Sequence, residues 1–380
     1  MKYLLLLSLS LCLLSCEEKE PKENFNSWYE ERFDKASYYR DHTVELPQAD
    51  SFVIVSHAFT IDTIYRSMKG PFQDIIFSID AQDSLLWLTG YKVETLDANN
   101  DSMLAANFMC HNNLNLSEEL LMPWRNELNY FNLRLFTLTQ GGEQILLPKG
   151  FGIPVYGTQT FETNAQVLNH NIYPINRKVK QRITIYYHPE RKLKRRMIPL
   201  EQRTIFAFKQ YGGPEGLYGE TPTNDNYILR QQFEVTQPKC GVGELANGTK
   251  EQRFDLFHDP FGRLFTGHWK IAPDSKEDFT IDISSLLKLQ KPTKVHFINA
   301  HVHPFCEQLS LIDNTTKKLV FSGKISNRTD GIGLDSIGNF SEQKGIAIYP
   351  DHNYAIRSIY HNKSADTLSA MSVMYLYLQN

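Results

Sequence analysis

Hydrophobic and polar residues alternate over short stretches along most of this chain, from about Val44 onward. Segments rich in Val, Ile, Phe, Tyr and Thr recur between turn residues, a pattern that is typical of half-buried β-strands. No stretch shows a long helical period. The pattern therefore predicts an all-β protein. Its strands are expected at residues 51–55, 74–79, 85–89, 133–138, 181–187, 205–208, 253–257, 279–283, 294–303, 308–313, 318–321, 345–349 and 372–378.

The length of 380 residues exceeds what one hydrophobic core usually organises, so two domains are expected. Because both halves share the same strand texture, we expect two antiparallel β-sandwiches of jelly-roll-like form in tandem, at residues 43–192 and 193–380. A basic cluster at residues 191–196 lies between them and precedes Pro199. The cluster could bind an anion, but a solvated crossover with a turn at Pro199 is favoured.

The first 15 residues are mostly apolar, with one lysine and no acidic residue. They are typical of a secretory signal peptide and too short to span a bilayer, with a buried helix as the lesser alternative. The sequence Leu-Leu-Ser-Cys at residues 13–16 resembles a lipobox. We expect a signal peptide at residues 1–15, a lipid anchor on Cys16 and a charged tether over residues 16–42. The acidic residues after Cys16 favour an outer-membrane lipoprotein that faces the periplasm or the cell surface.

Charge and cysteine content narrow the function classes. The formal net charge of −3 gives no sign of a nucleic-acid partner. Cys12 would leave with the signal peptide and Cys16 would be lipidated, which leaves Cys110, Cys240 and Cys306. Three is an odd number, so in an oxidising compartment at least one thiol is free or bound to something else. A disulfide between Cys240 and Cys306 and a free thiol on Cys306 both stay open.

The most informative chemistry lies in the predicted strand 294–303, which ends with His301 and His303. Alternate side chains of a strand share a face, so the two imidazoles point the same way with Cα atoms roughly 6.5 Å apart. Two imidazoles at that spacing can hold one metal ion, and copper suits such a donor set. His296 has the opposite parity and is expected to be structural. Taken alone, two polar residues on a strand would be the simpler interpretation of the pair.

Further motifs accompany the histidine pair in a fixed order. The sequence Phe-Thr-Gly-His-Trp at residues 265–269 precedes it, and residues 315–317 and the C-terminal segment 370–377 follow it. In this order and spacing the chain resembles the C-terminal domain of the copper type II, ascorbate-dependent monooxygenases. That family includes peptidylglycine α-hydroxylating monooxygenase and dopamine β-monooxygenase. In it, a His-x-His pair and a methionine near the C-terminus hold the copper at which oxygen is activated.

The resemblance implies that His301, His303 and Met371 bind this copper and form the catalytic site. A thioether suits the third position because a soft sulfur donor stabilises Cu(I). Met374 is the alternative methionine, although core packing is the simpler role for it. A gapless alignment of the last strand with the animal enzymes would place Leu368 at the position instead. The role of His268 stays open between the cleft and an ordinary turn.

The first half resembles the other domain of the family less fully. Residues 147–150 lead a strand pair as their counterparts do, and His170 falls where the family carries a histidine ligand. His111 stands at the place of an adjacent His-His pair, but Asn112 replaces the second histidine. Either Asn112, a poor copper ligand, accompanies His111, or Cys110 fills the position as a thiolate. The implied first copper site, which stores and forwards an electron in the family, therefore consists of His111 and His170, with or without Cys110.

The resemblance implies a copper-dependent monooxygenase with one or two copper ions. It would hydroxylate an aliphatic C–H bond of a small-molecule or peptide substrate, using O₂ and ascorbate or a similar reductant. A non-catalytic copper-binding or ligand-binding lipoprotein of the same fold is the alternative, since Asn112 breaks the first motif. A third interpretation is a metal-free adhesion or glycan-binding module. Motifs for a phosphate loop, a serine hydrolase, a zinc protease and a Cys-x-x-Cys pair do not occur in the sequence.

Overall fold

The computed structural model describes residues 45–66, 69–81, 84–116, 134–171, 176–195, 197–211, 217–218, 256–259 and 261–379. Nearly all regular structure in these ranges is β-strand, so the predicted all-β class is confirmed. The predicted anchor at Cys16, the tether over residues 16–42 and Cys240 lie outside the described residues. Within the described ranges, no helix is long and apolar enough to cross a membrane.

The strands follow one another with few helical interruptions. The first half contains β1 Asp50–Val55, β2 Phe59–Ile61, β3 Phe72–Phe77, β4 Leu85–Asp97, β5 Met109–Leu116, β6 Arg134–Thr139, β7 Gln144–Leu146, β8 Phe151–Tyr156, β9 Phe161–Val167 and β10 Arg177–Pro189. The second half contains β11 Ile198–Phe206, β12 Lys209–Gln210, β13 Leu256–His258, β14 Leu264–Thr266, β15 His268–Ile271, β16 Ser275–Asp282, β17 Thr293–Val302, β18 Cys306–Asp313, β19 Lys318–Asn327, β20 Leu334–Ile337, β21 Phe340–Ile348, β22 Tyr354–Asn362 and β23 Leu368–Gln379. A short helix α1, Ser284–Leu287, and two 3-10 turns, Ala106–Phe108 and Glu190–Lys192, connect strands.

Each half is built from two sheet layers. In the first half, the sheet β3-β9-β5-β6 packs on β1, β10, β4 and β8, and the rings of Tyr91 and Phe136 stack between the layers at 5.7 Å. In the second half, the sheet β16-β22-β18-β19-β20 packs on the layer that contains β15, β23 and β17, with Trp269 edge-on to Tyr360 at 6.0 Å. The small sheet β12-β14-β13 completes the second half. Both halves are therefore β-sandwiches with buried aromatic cores.

One large sheet runs through both halves. Its order is β1-β10-β4-β8-β11-β23-β17-β21, and β2, β7 and β15 pair to its sides. β8 and β11 pair in parallel at Phe151 with Ile198 and at Gly152 with Pro199, and this ladder joins the halves. The other ladders of the described strands are antiparallel. The predicted boundary after residue 192 falls at the crossover from β10 to β11, and the division into two domains stays a prediction.

The predicted turn at Pro199 is wrong. Pro199 is the second residue of β11, where a missing N–H is tolerated because the strand has only just begun. The basic cluster before it folds back on the first half: Arg191 lies 3.8 Å from Asp80, and Lys192 lies 2.7 Å from Asp50. These pairs partly neutralise the cluster, which supports the crossover interpretation over an anion site.

Candidate metal centre

Three neighbouring strands bring the second-half candidates to one sheet face. β23 lies between β15 and β17, with His268 opposite Met371 and His301 opposite Val373. Residues opposite each other in an antiparallel ladder share a face, as do residues two apart on one strand. His268, Met371 and His301 therefore lie on the same face of the sheet.

His303 lies just past the end of β17 and close to His301. The two ring centroids are 5.4 Å apart, and their planes are at 81°. The ring of His268 is also 5.4 Å from that of His303. An imidazole nitrogen binds a metal at about 2 Å, so two rings on one ion have centroids about 5 Å apart. The spacing of His301 and His303 therefore fits one shared ion.

A backbone contact determines the tautomer of His303. Its Nδ1 lies 2.9 Å from the carbonyl oxygen of Ser369, which can only accept, so Nδ1 donates. Burial, and after it the nearby His268, lowers the pKa of His303 to about 3, so the ring is neutral at neutral pH. Nε2 then carries the lone pair and is the ring atom that can bind a metal ion.

His301 is also buried, but one of its ring nitrogens lacks a hydrogen-bond partner within the described ranges. It is 8% exposed, and its Nδ1 has no hydrogen-bond partner among the described residues. Burial, and after it the nearby His303 and His111, holds the pKa of His301 well below its usual range. A buried ring nitrogen without a partner costs free energy, and a bound metal ion would remove that cost.

The two candidate methionines occupy opposite faces of β23. Met371 and Met374 are both buried, at 1% and 0% exposure. Met374 pairs with Ala300, the neighbour of His301, so its side chain lies on the other face of the sheet. Of the two thioethers, Met371 is the one on the face of His301.

Tyr360 of β22 separates the ends of β17 and β23 beside this pair. Its hydroxyl donates to the carbonyl oxygen of Met371 and accepts from the backbone N–H of His303 at 3.2 Å. Backbone pairing between β17 and β23 stops one residue earlier, at Val302 and Ser372. The Tyr360 hydroxyl thus takes the place of the next backbone hydrogen bond between β17 and β23. It sets the spacing between the backbones of His303 and Met371.

Cys306 faces Tyr360 across the β18–β22 ladder and carries a free, buried thiol. Its Sγ donates to the carbonyl of Gln308 at 3.5 Å. Burial raises the pKa of the Cys306 thiol to about 12, so the thiol stays protonated. The thiol of Cys306 is therefore not a thiolate in the metal-free protein.

His111 on β5 reaches the same region from the first half. It is 5% exposed, and its Nε2 has no hydrogen-bond partner within the described part of the chain. Burial, and after it Arg134 and His268, lowers the pKa of His111 to about 3. Because the charge of a protonated His111 would lower the pKa of His301, a first-half histidine lies within electrostatic range of the second-half pair.

Asn112 points away from His111 and into the core of the first half. Its Oδ1 accepts from the hydroxyls of Tyr91 and Thr163, the latter at 2.9 Å. Its Nδ2 donates to Oε1 of Gln181 at 2.8 Å. The amide is therefore held in a buried polar network of the first half, on the side of β5 away from His111.

The first copper site expected from the resemblance does not take shape as a three-donor group. His170 lies after β9, and burial, with Arg66 as the lesser cause, lowers its pKa to about 4. Cys110 is buried in a β-bulge of β5. Nowhere in the described ranges do three His, Cys, Asp or Glu side chains converge closely enough to hold one metal ion. His111 and His170 instead lie near the second-half histidines, as the pKa shifts of His303 indicate.

A cavity of about 540 Å³ opens between the halves at this cluster. His170 lines it from the first half, and His268 and His303 line it from the second. Trp269 and Leu368 form part of its apolar wall. A space of this size suits a small molecule.

No protein-family model matches this chain, and no curated protein matches it. PBCV-1 VP54, fitted into a reconstruction of the virophage Sputnik, is similar with a TM-score of 0.30 and 8% identity over 89% of this chain and 95% of that one. A peptide-N(4)-(N-acetyl-β-D-glucosaminyl)asparagine amidase is similar with a TM-score of 0.30 and 9% identity over 87% and 97%. Infectious bursal disease virus VP2 has a TM-score of 0.19 and 10% identity over 87% and 72%. Likenesses this low carry no argument about function.

Proposed function

We propose that this chain is a copper-dependent monooxygenase that hydroxylates an aliphatic C–H bond with O₂ and ascorbate or a similar reductant. His301, His303 and Met371 would hold the copper. The observation that carries the proposal is the pair of buried, neutral imidazoles 5.4 Å apart on the face that also holds a buried thioether.

The donor set suits copper. Imidazole nitrogen binds copper in both oxidation states, and a thioether favours Cu(I). The Nδ1 of His301 is buried and has no hydrogen-bond partner among the described residues. Three ligands drawn from His, Cys, Asp and Glu do not converge in the described ranges, but two imidazoles and a thioether are a different set. When bound, copper would supply one-electron chemistry with O₂.

The residues of the chain contribute position and enclosure. The carbonyl of Ser369 orients the ring of His303, and Tyr360 spaces His303 from Met371. The largely buried side chain of Trp269 contributes apolar surface to the cavity. A substrate in the cavity would lie directly against His303.

A non-catalytic copper-binding lipoprotein of the same fold is the second candidate. It is favoured by one observation: His111, His170 and Cys110 form no three-donor group. A separate site that stores an electron is then missing from the described residues, while the His301–His303 pair is unaffected. Such a protein would bind copper without catalysing the hydroxylation of a substrate.

The experiment compares copper content in the full-length protein and in the double variant His301→Ala, His303→Ala. Each is loaded with copper, dialysed and analysed by inductively coupled plasma mass spectrometry. We expect the double variant to lose the bound copper and the control His57→Ala, which changes an exposed histidine, to keep it. Unchanged copper in the double variant would overturn both candidates.

Oxygen uptake then separates the two candidates. The copper-loaded protein is mixed with ascorbate and a panel of small aliphatic substrates in an oxygen electrode. Uptake above the buffer rate that depends on both reductant and substrate supports the monooxygenase. Uptake at the buffer rate despite stoichiometric copper supports the binder.

A further inference from the structure

The rim of the cavity between the halves is cationic. Arg66 and Lys69 belong to the first half, and Lys270 belongs to the second. Asp366 is the acidic residue in the described lining, and its carboxylate pairs with Arg66 at 3.5 Å. Neither lysine forms an ion pair with a carboxylate of the described residues. Among the described residues, the positive charges of Lys69 and Lys270 therefore have no carboxylate partner.

The deeper wall of the same cavity carries little charge. Apart from Arg66, Lys69, Lys270 and Asp366, the described lining contains no Asp, Glu, Lys or Arg side chain. The apolar side chains of the wall are Trp269, Pro304, Ile332 and Leu368, and the imidazoles of His170 and His303 lie beside them in the lining. The cavity thus has a positive entrance and a largely apolar interior.

A concave site with one sign of charge concentrates ligands of the opposite sign. A small anion that enters here meets Lys69 and Lys270 and no unpaired carboxylate of the described lining. An apolar tail on that anion would extend along Trp269 and Leu368 toward His303. The volume of about 540 Å³ limits the ligand to a small molecule.

We propose that this cavity binds a small amphipathic carboxylate, with the carboxylate at the exposed lysines Lys69 and Lys270 and the apolar part directed at His303. The inference names the substrate class of the proposed monooxygenase and rests on the proposed function in that respect. Binding itself does not need copper, because the lysines and the apolar wall belong to the protein.

The test uses the full-length protein, first freed of metal by chelation, and isothermal titration calorimetry with two probes. Hexanoate carries the carboxylate, and hexanamide has nearly the same shape without the charge. The variant is the double substitution Lys69→Gln, Lys270→Gln. The matched control is Lys318→Gln, Lys344→Gln, which removes the same charge from two exposed lysines outside the cavity.

We expect the unmodified protein to bind hexanoate at least about fivefold more tightly than hexanamide, since two exposed charge contacts contribute modestly each. The preference should weaken with added salt and disappear in the Lys69, Lys270 variant, while the control variant keeps it. Equal affinity for the two probes, or a preference that survives in the variant, would overturn the proposal.

Copper content separates this inference from the proposed function. The Lys69, Lys270 variant should hold as much copper as the unmodified protein, because neither lysine is a ligand. If this variant no longer prefers hexanoate but still holds copper, the result bears on the substrate class and not on the copper site. If His301 and His303 do not bind copper, the proposed monooxygenase is overturned. The binding of hexanoate to the metal-free protein is unaffected by that result.

Discussion

The hydroxyl group of Tyr360 donates a hydrogen bond to the backbone carbonyl of Met371. The same hydroxyl accepts from the backbone N–H of His303, so one side chain holds two candidate ligands by their backbones. The phenol is 1% exposed, and burial keeps its pKa well above the usual value, so it remains a donor at neutral pH. Tyr360 therefore acts as a positioning residue for the proposed site.

Replacing Tyr360 by phenylalanine tests this role. The change leaves a buried N–H and a buried carbonyl without this partner, so we expect a loss of about 1–3 kcal/mol in the free energy of unfolding. It should also change the electron paramagnetic resonance spectrum of bound Cu(II). Tyr377→Phe is the matched control, since Tyr377 is buried on β23 and donates to the carbonyl of Leu135 at 3.1 Å. The control should lose stability without a spectral change, and identical spectra for both variants would contradict the positioning role.

Met371 and Met374 should respond differently to replacement by leucine. Met371 shares a face with His301, whereas Met374 pairs with Ala300 on the other face. Both changes conserve volume and should cost less than about 1.5 kcal/mol of stability. We expect Met371→Leu alone to weaken Cu(I) binding, by about tenfold or more, in competition with a chromophoric Cu(I) chelator. A larger effect from Met374→Leu would exclude Met371 as the thioether ligand.

Asn112→His should fail to create a second copper site. The side chain points into the core of the first half and bonds with Tyr91, Thr163 and Gln181. An imidazole there cannot reach the side of β5 that carries His111. We expect unchanged copper stoichiometry and a loss of about 2 kcal/mol or more in unfolding free energy by urea denaturation. A second bound copper in this variant would show that Asn112 can turn toward His111.

Acid should destabilise the metal-free protein through its buried histidines. The pKa of His111 and of His303 is about 3 in the folded protein, against about 6.5 in an unfolded chain. Below about pH 6.5 the unfolded state therefore binds more protons, and stability falls as the pH falls. The expected slope is about 1.4 kcal/mol per pH unit for each such histidine, and no slope from these groups is expected above pH 7.

Urea denaturation at several pH values between 5 and 8 measures this slope. His303→Gln should remove one histidine's share of it, and the control His57→Gln, at an exposed position, should leave it unchanged. A slope that is the same in all three proteins would mean that His303 is not held neutral by burial.

Lipid attachment at Cys16 is tested in cells that take up labelled palmitate. Cys16→Ser should abolish labelling and release the protein from the membrane fraction, because the anchor is the proposed link to the outer membrane. Cys12→Ser lies in the same apolar segment and should label normally. Labelling that persists in Cys16→Ser would remove the lipoprotein prediction.

The sequence alone predicts the all-β fold class and the proximity of His301 and His303, because both depend on local periodicity. Alternation identifies most of the long strands, and it places His301 and His303 on one face before any tertiary contact is known. It fails at β5, Met109–Leu116, half of whose residues are polar and all of whose residues are buried. Hydrogen bonds such as those of Asn112 and Arg134 satisfy the asparagines of this strand, and such pairing across strands leaves no signal in a single sequence.

The remaining residues of the site come together through long-range pairing. His268 meets Met371 because β15 pairs with β23 about a hundred residues later in the chain. Tyr360 reaches His303 from the opposite sheet of the sandwich, and no spacing motif marks it. The approach of His111 to His301 joins the two halves, and sequence reasoning treats them as separate sites.

The shared sheet limits how the proposed enzyme can take up its substrate. The parallel ladder of β8 and β11 is reinforced by Tyr377, which bonds to the carbonyl of Leu135, and by Asn299, which bonds to that of Thr137 at 3.0 Å. These links connect the two halves and oppose a separation of the two walls of the cavity. In the proposed enzyme, the substrate would therefore enter a preformed cavity. Its size and shape, and not a closing movement of the two halves, would decide which molecules bind.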